Sequence, residues 1–274
     1  MKCKQAIAEL ENEVRILSKG RTLTAKCKKL IKLLKEQYTL GTVKVKLSNL
    51  RKSLGEGHPA LDKLKLTDAD YVVLKRGWNS QVVADHRNLR PLSPQELLGR
   101  ALWIMQDKAS SGLALALALA LVTGRRTFEV MVCGNFKSVE GREDVLHFSG
   151  QAKTRNAPGT RSSYIIPVLI PAPTICKAFK RLRKICPLAG MSSEQFHNLY
   201  GKRLHEACTD TFGADFTPKL LRSAYACICA AWFKPSNMTD VVYFSDILGH
   251  RLLNDEAADM ATALHYQDFY IEDQ

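Results

Sequence analysis

LALALALALVTGRRTFE, residues Leu113–Glu129, is the stretch on which the reading of this chain turns. Leu and Ala alternate as they would in a strand. Both are strong helix formers, however, and no β-branched residue appears before Val122, so the run reads as a buried helix. It ends abruptly in Thr123, Gly124, Arg125 and Arg126. Glycine at that place suits the left-handed residue that closes a helix. Two guanidiniums at the rim of a core are another matter, because burying an unpaired charge costs on the order of several kcal/mol. They can cap helix carbonyls or pair with Glu129, or they can meet a phosphate, whose oxygens match the guanidinium fork. The stretch alone leaves both readings open.

The rest of the chain weighs on that choice. It has 274 residues, 46% of them hydrophobic, enough for one large core or two smaller ones. The net charge of +13 is unevenly spread. Residues 1–90 hold 20 Lys and Arg against 9 Asp and Glu, whereas residues 91–274 hold 20 against 18. A basic first third predicts a domain that grips a polyanion, followed by a near-neutral domain with a more local task. The eight cysteines form no C-x-x-C pair and no histidine spacing completes a zinc signature, which predicts a reduced, cytoplasmic protein without a bound metal. Met1–Leu10 is too charged for a signal peptide, and Leu113–Val122 is too short to span a bilayer, so no membrane partner is expected.

Apolar spacing predicts helices over residues 4–18 and 22–38, the second with Lys26, Lys28, Lys29, Lys32 and Lys35 on its polar face. That face is either simply solvated or laid along a phosphate backbone. A segment over 43–54 adds Lys44, Lys46, Arg51 and Lys52. Residues 66–84 read as short helical pieces, and the basic segment His86–Pro91, with Arg87 and Arg90, reads as the linker between domains 1–90 and 91–274. Ser93-Pro94-Gln95-Glu96 predicts a capping box opening a helix to about Asp107. Val145–Phe148 and Tyr164–Val168 are β-like, with a polar turn carrying Lys153 between them. Helices are expected over 173–185, 192–210, 218–232, 238–247 and 256–265. The fold class is therefore mainly α with a small β-sheet, an α+β arrangement.

Four features stand in order along the second domain: Thr-Gly-Arg-Arg with Glu129, Lys153 in the turn, Thr217-Pro218-Lys219-Leu220-Leu221-Arg222 opening a helix, and Leu248-Gly249-His250 followed by Tyr266. Singly each has an ordinary explanation, such as a solvated lysine, a cap or a core tyrosine. In sequence they resemble the catalytic set of the tyrosine recombinases, relatives of the type IB topoisomerases. That family's Thr-Gly-x-Arg-x-x-Glu element matches Thr123, Gly124, Arg126 and Glu129; its strand-turn lysine matches Lys153. Its His-or-Lys-x-x-Arg helix start matches Lys219 and Arg222, its Leu-Gly-His element matches His250, and its late tyrosine matches Tyr266. Within the family, VTGRRTFEV, FSGQAKTR, Lys219 and ALHYQDF are similar to the telomere resolvases, or protelomerases, over about residues 90–270.

The resemblance implies a helical, basic DNA-gripping domain before a recombinase-like catalytic domain. It implies cleavage of inverted-repeat duplex DNA by a homodimer through a 3′-phosphotyrosine, and rejoining into covalently closed hairpin ends without metal, ATP or other cofactor. Conventional strand exchange by an integrase is the alternative. Arg126 and Arg222 are then expected to clamp the phosphate, His250 to add a donor, Lys153 to protonate the leaving oxygen, Lys219 to add a cation and Tyr266 to attack. Tyr270, one helical turn further on if the helix continues, is the competing nucleophile. Arg125 is expected to meet an acid or a second phosphate. Lys26, Lys29, Lys32, Lys44, Lys46, Arg51, Arg87 and Arg90 are the expected DNA-backbone contacts.

Overall fold

The computed structural model describes residues 2–17, 20–152, 163–249 and 263–272. The chain folds as two compact units, Met1–Val83 and Ala84–Gln274. The division falls at Val83/Ala84, seven residues before the end of the basic segment read as a linker.

The first unit holds α1 (Lys2–Ile16), α2 (Arg21–Gln37), α3 (Leu40–Leu54) and most of α4 (Asp68–Arg87). Its core is built from one stripe of each of the first three helices: Ile7, Leu10 and Val14; Leu23, Cys27, Leu30 and Leu34; Val43, Leu47 and Leu50. The spacing of three and four residues puts these side chains on single faces, and Ala60, Leu64 and Leu66 close the cluster. Asp70 at the start of α4 accepts from Lys35 of α2 at 2.7 Å, and that ammonium with Thr67 holds its carboxyl down at about 2. Residues 66–84 are thus not short pieces. From Asp68 they form one continuous helix of 20 residues, none of them buried.

The second unit begins with β1 (Arg90–Leu92), α5 (Pro94–Gln106) and α6 (Gly112–Thr123). The Leu-Ala run is α6, and Leu115 to Thr123 are all buried. A helix apolar on every side needs partners on every side, and α6 packs against α5, α7 (Ala172–Ile185), α8 (Ser193–Phe212) and α9 (Pro218–Phe233). Ser111 opens it by accepting from the Ala114 amide at 3.2 Å. After α6 comes a π-helical turn, Glu129–Cys133, then a three-stranded antiparallel sheet of β2 (Asn135–Val139), β3 (Arg142–Ser149) and β4 (Ser163–Pro167). β3 and β4 are the strands expected from the β-like texture; β2 and the π-turn carried no such signal. α10 (Asp240–Ile247) and β5 (Phe269–Ile271) complete the unit, and β5 pairs in parallel with β1. No helix among the described residues is long and apolar enough to cross a membrane.

Three further expectations need correction. His86–Pro91 is no loose linker: its first residues close α4, and Arg90 and Pro91 pair with Phe269 and Tyr270. Ser93 precedes α5 but its side chain makes no cap bond, so the capping box does not form. Of the helix expected over 256–265, residues 256–262 lie outside the described residues. Ala263 and Leu264 are helical, Tyr266 follows in a turn, and Tyr270 belongs to β5 rather than to a next helical turn.

Candidate active site

Gly124 makes the turn that separates the two arginines. It sits at φ 65° as the left-handed close of α6, and a Cβ there would overlap the ring of Tyr225. The chain leaves the helix with Arg125 pointing into the core and Arg126 at its edge. Arg125 is 1% exposed. Its Nε donates to the Thr123 carbonyl at 3.1 Å, one Nη to the Tyr164 hydroxyl and the other to the Ile247 carbonyl at 2.5 Å. Its guanidinium also lies over the Phe148 ring, 4.9 Å from the centroid. Burial works against this charge, but Tyr164 and Glu129 outweigh it and hold the proton more firmly than usual. Arg125 is thus hydrogen-bonded to backbone and to a phenol, with Glu129 acting on it only through its charge.

Arg126 and Arg222 converge on Glu129, a carboxylate with no exposed surface. Its Oε1 accepts from Arg126 Nη1 at 2.8 Å and from the Ala152 amide at 3.0 Å, and its Oε2 accepts from the Arg126 amide at 2.8 Å. Arg222 Nη1 lies 3.7 Å from Oε2. Burial alone would raise the Glu129 carboxyl; Arg222, Arg125 and Arg126 reverse that and lower it. The π-turn that carries Glu129 is held in turn by Arg183 of α7, whose guanidinium donates to the carbonyls of Met131, Val132 and Gly134 at 2.9, 2.7 and 2.6 Å.

Arg222 lies in the first turns of α9, where Pro218 sets the helix and Thr217 caps it by accepting from the Leu220 amide at 3.3 Å. It is 4% exposed. One Nη donates to the Leu248 carbonyl at 2.9 Å, while Nε and Nη1 find no hydrogen-bond acceptor among the described residues. Burial, with Arg126 adding repulsion, pulls its guanidinium down to about 10, still charged at neutral pH. Its plane faces the Tyr266 ring, 5.4 Å from the centroid. Tyr266 is 8% exposed, between buried Ala263 and Phe269, whereas Tyr270 is 47% exposed on β5. Lys219 is exposed one turn before Arg222. Lys153 and His250 lie outside the described residues.

The structure thus brings Arg126 and Arg222 together on Glu129 and sets Tyr266 against Arg222. A buried carboxylate that orients two guanidiniums, one with two nitrogens that make no hydrogen bond among the described residues, beside a buried phenol is suited to bind a tetrahedral anion and attack it. Sequence reasoning missed the supporting set: Tyr164, Arg183, and Gln151, whose Nε2 donates to the Gly249 carbonyl at 2.7 Å. Only the Gly-Gln-Ala run before Lys153 hinted at the last.

The basic residues of the first third differ in their engagement. Lys29, Lys32 and Lys44 are exposed, the last 5.7 Å from the Tyr71 ring centroid. Lys26 pairs with Glu13 at 2.6 Å, Lys46 lies over Tyr38 at 4.6 Å, and Arg51 is half-buried. Arg87 is exposed. Arg90 stacks on Phe269 at 4.9 Å and donates to the Asp215 carbonyl at 3.2 Å, so its guanidinium is already committed within its own unit.

Residues 88–269 match a family model described as the telomere resolvase ResT/TelK catalytic domain. The protelomerase of Yersinia phage PY54 is 25% identical across 98% of this chain and 50% of its own length. That of Escherichia phage N15 is 28% identical across 77% of this chain and 36% of its own. The chain thus spans half or less of the length of these relatives. A solved structure of a protelomerase TelA variant covalently complexed with substrate DNA superposes with a TM-score of 0.84 at 25% identity, covering 99% of this chain and 89% of that one. Protelomerase TelK complexed with substrate DNA superposes with a TM-score of 0.65 at 21% identity, covering 99% of this chain and 60% of that one.

Proposed function

The chain belongs to the telomere resolvase ResT/TelK catalytic domain family, and from that premise we propose that it cuts inverted-repeat duplex DNA and rejoins the strands as covalently closed hairpin ends. The observation that carries this reading is the Glu129-centred pair of guanidiniums, of which Arg222 faces Tyr266. The Tyr266 hydroxyl gives up its proton to solvent as its oxygen attacks the scissile phosphorus, and the bond to the 5′ oxygen breaks as that oxygen takes up a proton. The products are a 3′-phosphotyrosine and a free 5′ hydroxyl. Arg126 and Arg222 balance the charge that builds on the non-bridging oxygens. Lys153 donates the proton to the leaving oxygen, while Lys219 and His250 add positive charge and a donor.

In the second step the 5′ hydroxyl of the opposite strand attacks the phosphotyrosine, the tyrosine oxygen leaves with a proton, and the end is closed. The phosphoester bond is exchanged rather than lost, so ligation needs no nucleotide. Two cuts are required and each chain supplies one such set, which favours two copies on one inverted repeat. The basic first third, with Lys29, Lys32 and Lys44 exposed, supplies salt-dependent grip on the flanking backbone. The work belongs in the cytoplasm of the cell that holds the linear replicon.

The test is incubation with inverted-repeat DNA in chelator, read on a denaturing gel. Hairpin products and a covalent protein–DNA adduct are expected; Tyr266→Phe loses both, whereas Tyr270→Phe keeps both. Recombinant duplexes in place of hairpins would establish strand exchange instead. Adducts surviving in Tyr266→Phe would remove that residue as the nucleophile.

A further inference from the structure

Three consecutive backbone carbonyls, those of Ile247, Leu248 and Gly249, are each taken by a side chain from a different segment. Arg125, at the end of α6, donates to the first at 2.5 Å; Arg222, from α9, to the second at 2.9 Å; and Gln151, from the turn after β3, to the third at 2.7 Å. These carbonyls end α10, immediately before His250 in the chain. The Gln151 turn is pinned at its next residue as well. The Ala152 amide donates to Glu129 Oε1 at 3.0 Å, and the Ala152 carbonyl lies 3.4 Å from Arg126 Nη1. The residue after that is Lys153. The approach at Gly249 is built for closeness: its φ is 72°, and a Cβ there would overlap the Tyr164 hydroxyl and the Gln151 side-chain oxygen.

We propose that Gln151 is a positioning residue for strand cleavage: by bonding the Gly249 carbonyl it holds residues 151 and 152, which lead into the proton donor, against the end of α10, so that the leaving 5′ oxygen is protonated on time. This deepens the reading given above and rests on it. Arg125 reaches the same stretch of carbonyls, but from the core, where its bonds to Thr123 and Tyr164 serve the fold as well. Gln151 is only part-buried, and among the described residues its side chain bonds the Gly249 carbonyl.

A substrate that carries sulfur in place of the bridging 5′ oxygen separates positioning from general support, because a thiolate leaves without a proton. The full chain is compared with Gln151→Met, which keeps the length and removes the donor, and with Gln151→Ala, under single-turnover conditions; melting temperatures are recorded alongside. On ordinary DNA both variants are expected to cleave about tenfold more slowly, the scale of one hydrogen bond removed from a transition state. On the sulfur substrate they are expected to match the unsubstituted protein within about twofold. Arg222→Ala serves as the contrast and remains slow on both, since charge on the non-bridging oxygens is still unmet. An equal loss on the two substrates, in a variant that melts like the parent, overturns the proposal, and so does an unchanged rate on ordinary DNA. A parent protein that cleaves neither substrate overturns the underlying reading and this inference with it, whereas failure of rescue alone overturns only the inference.

Discussion

Replacing Glu129 by Gln removes one charge and almost no volume, and the structure says what that costs. Both carboxylate oxygens accept from backbone amides, Oε1 from Ala152 and Oε2 from Arg126. A carboxamide has one acceptor and one donor end, so in either orientation an N–H group is set against another N–H group. Arg126 and Arg222 meanwhile lose the one carboxylate that both approach. Breaking a buried ion pair from one side costs about 3–5 kcal/mol. For a unit of this size each kcal/mol moves the melting temperature by about 2–4 °C, so a fall of about 6–20 °C is expected. The loss has a pH signature. The folded Glu129 carboxyl is lowered, so its contribution is complete above the unfolded carboxyl value of about 4.3 and disappears as pH falls through the folded value. Melting curves by circular dichroism from pH 7 down to about 3 should show a full difference between parent and Glu129→Gln at neutral pH that narrows only on the acid side of that window. A variant that melts within about 2 °C of the parent at pH 7, or a difference that does not narrow in acid, would refute the view that Glu129 is the charged centre of the cluster.

Arg125→Ala is expected to lower the melting temperature more than Arg126→Ala, because it strips three bonds from a fully buried guanidinium whereas Arg126 is one-quarter exposed; equal melting temperatures would count against the separation of roles. Replacing the exposed Lys29, Lys32 and Lys44 together by Ala should reduce the slope of log affinity against log salt by about 3 for duplex DNA, roughly 0.9 for each phosphate that is no longer neutralised. An unchanged slope would place the DNA grip elsewhere.

Much of this protein could be read from spacing alone. Stripes of three and four residues marked α1 and α2, the unbroken Leu-Ala run marked the central helix, and the β-like texture after Val145 marked β3 and β4. What failed were features without a local signal. β2 and the π-turn have no periodic pattern of their own; the turn depends on Arg183 reaching three of its carbonyls from α7. Residues 68–87 lack a buried stripe, so their continuity as α4 is invisible to a reading based on amphipathicity. At Ser93 the residue types of a capping box are present, but the side-chain bond is not made.

By itself, then, the sequence determined the helix-dominated fold class, the basic bias of the first third, and the residue types of the candidate site: Arg126, Glu129, Arg222 and Tyr266 in that order. These depend on side chains a few positions apart, or on chemistry carried by single residues. Only the tertiary structure decided which of two adjacent arginines serves the core. The left-handed turn at Gly124 sends Arg125 to a phenol and a carbonyl contributed by segments 39 and 122 residues away. It likewise decided that Tyr266 is enclosed beside Arg222 while Tyr270 is exposed on a strand paired with β1. Buried donors and acceptors must find partners, and when those partners lie across a loop of a hundred residues, no local pattern can name them.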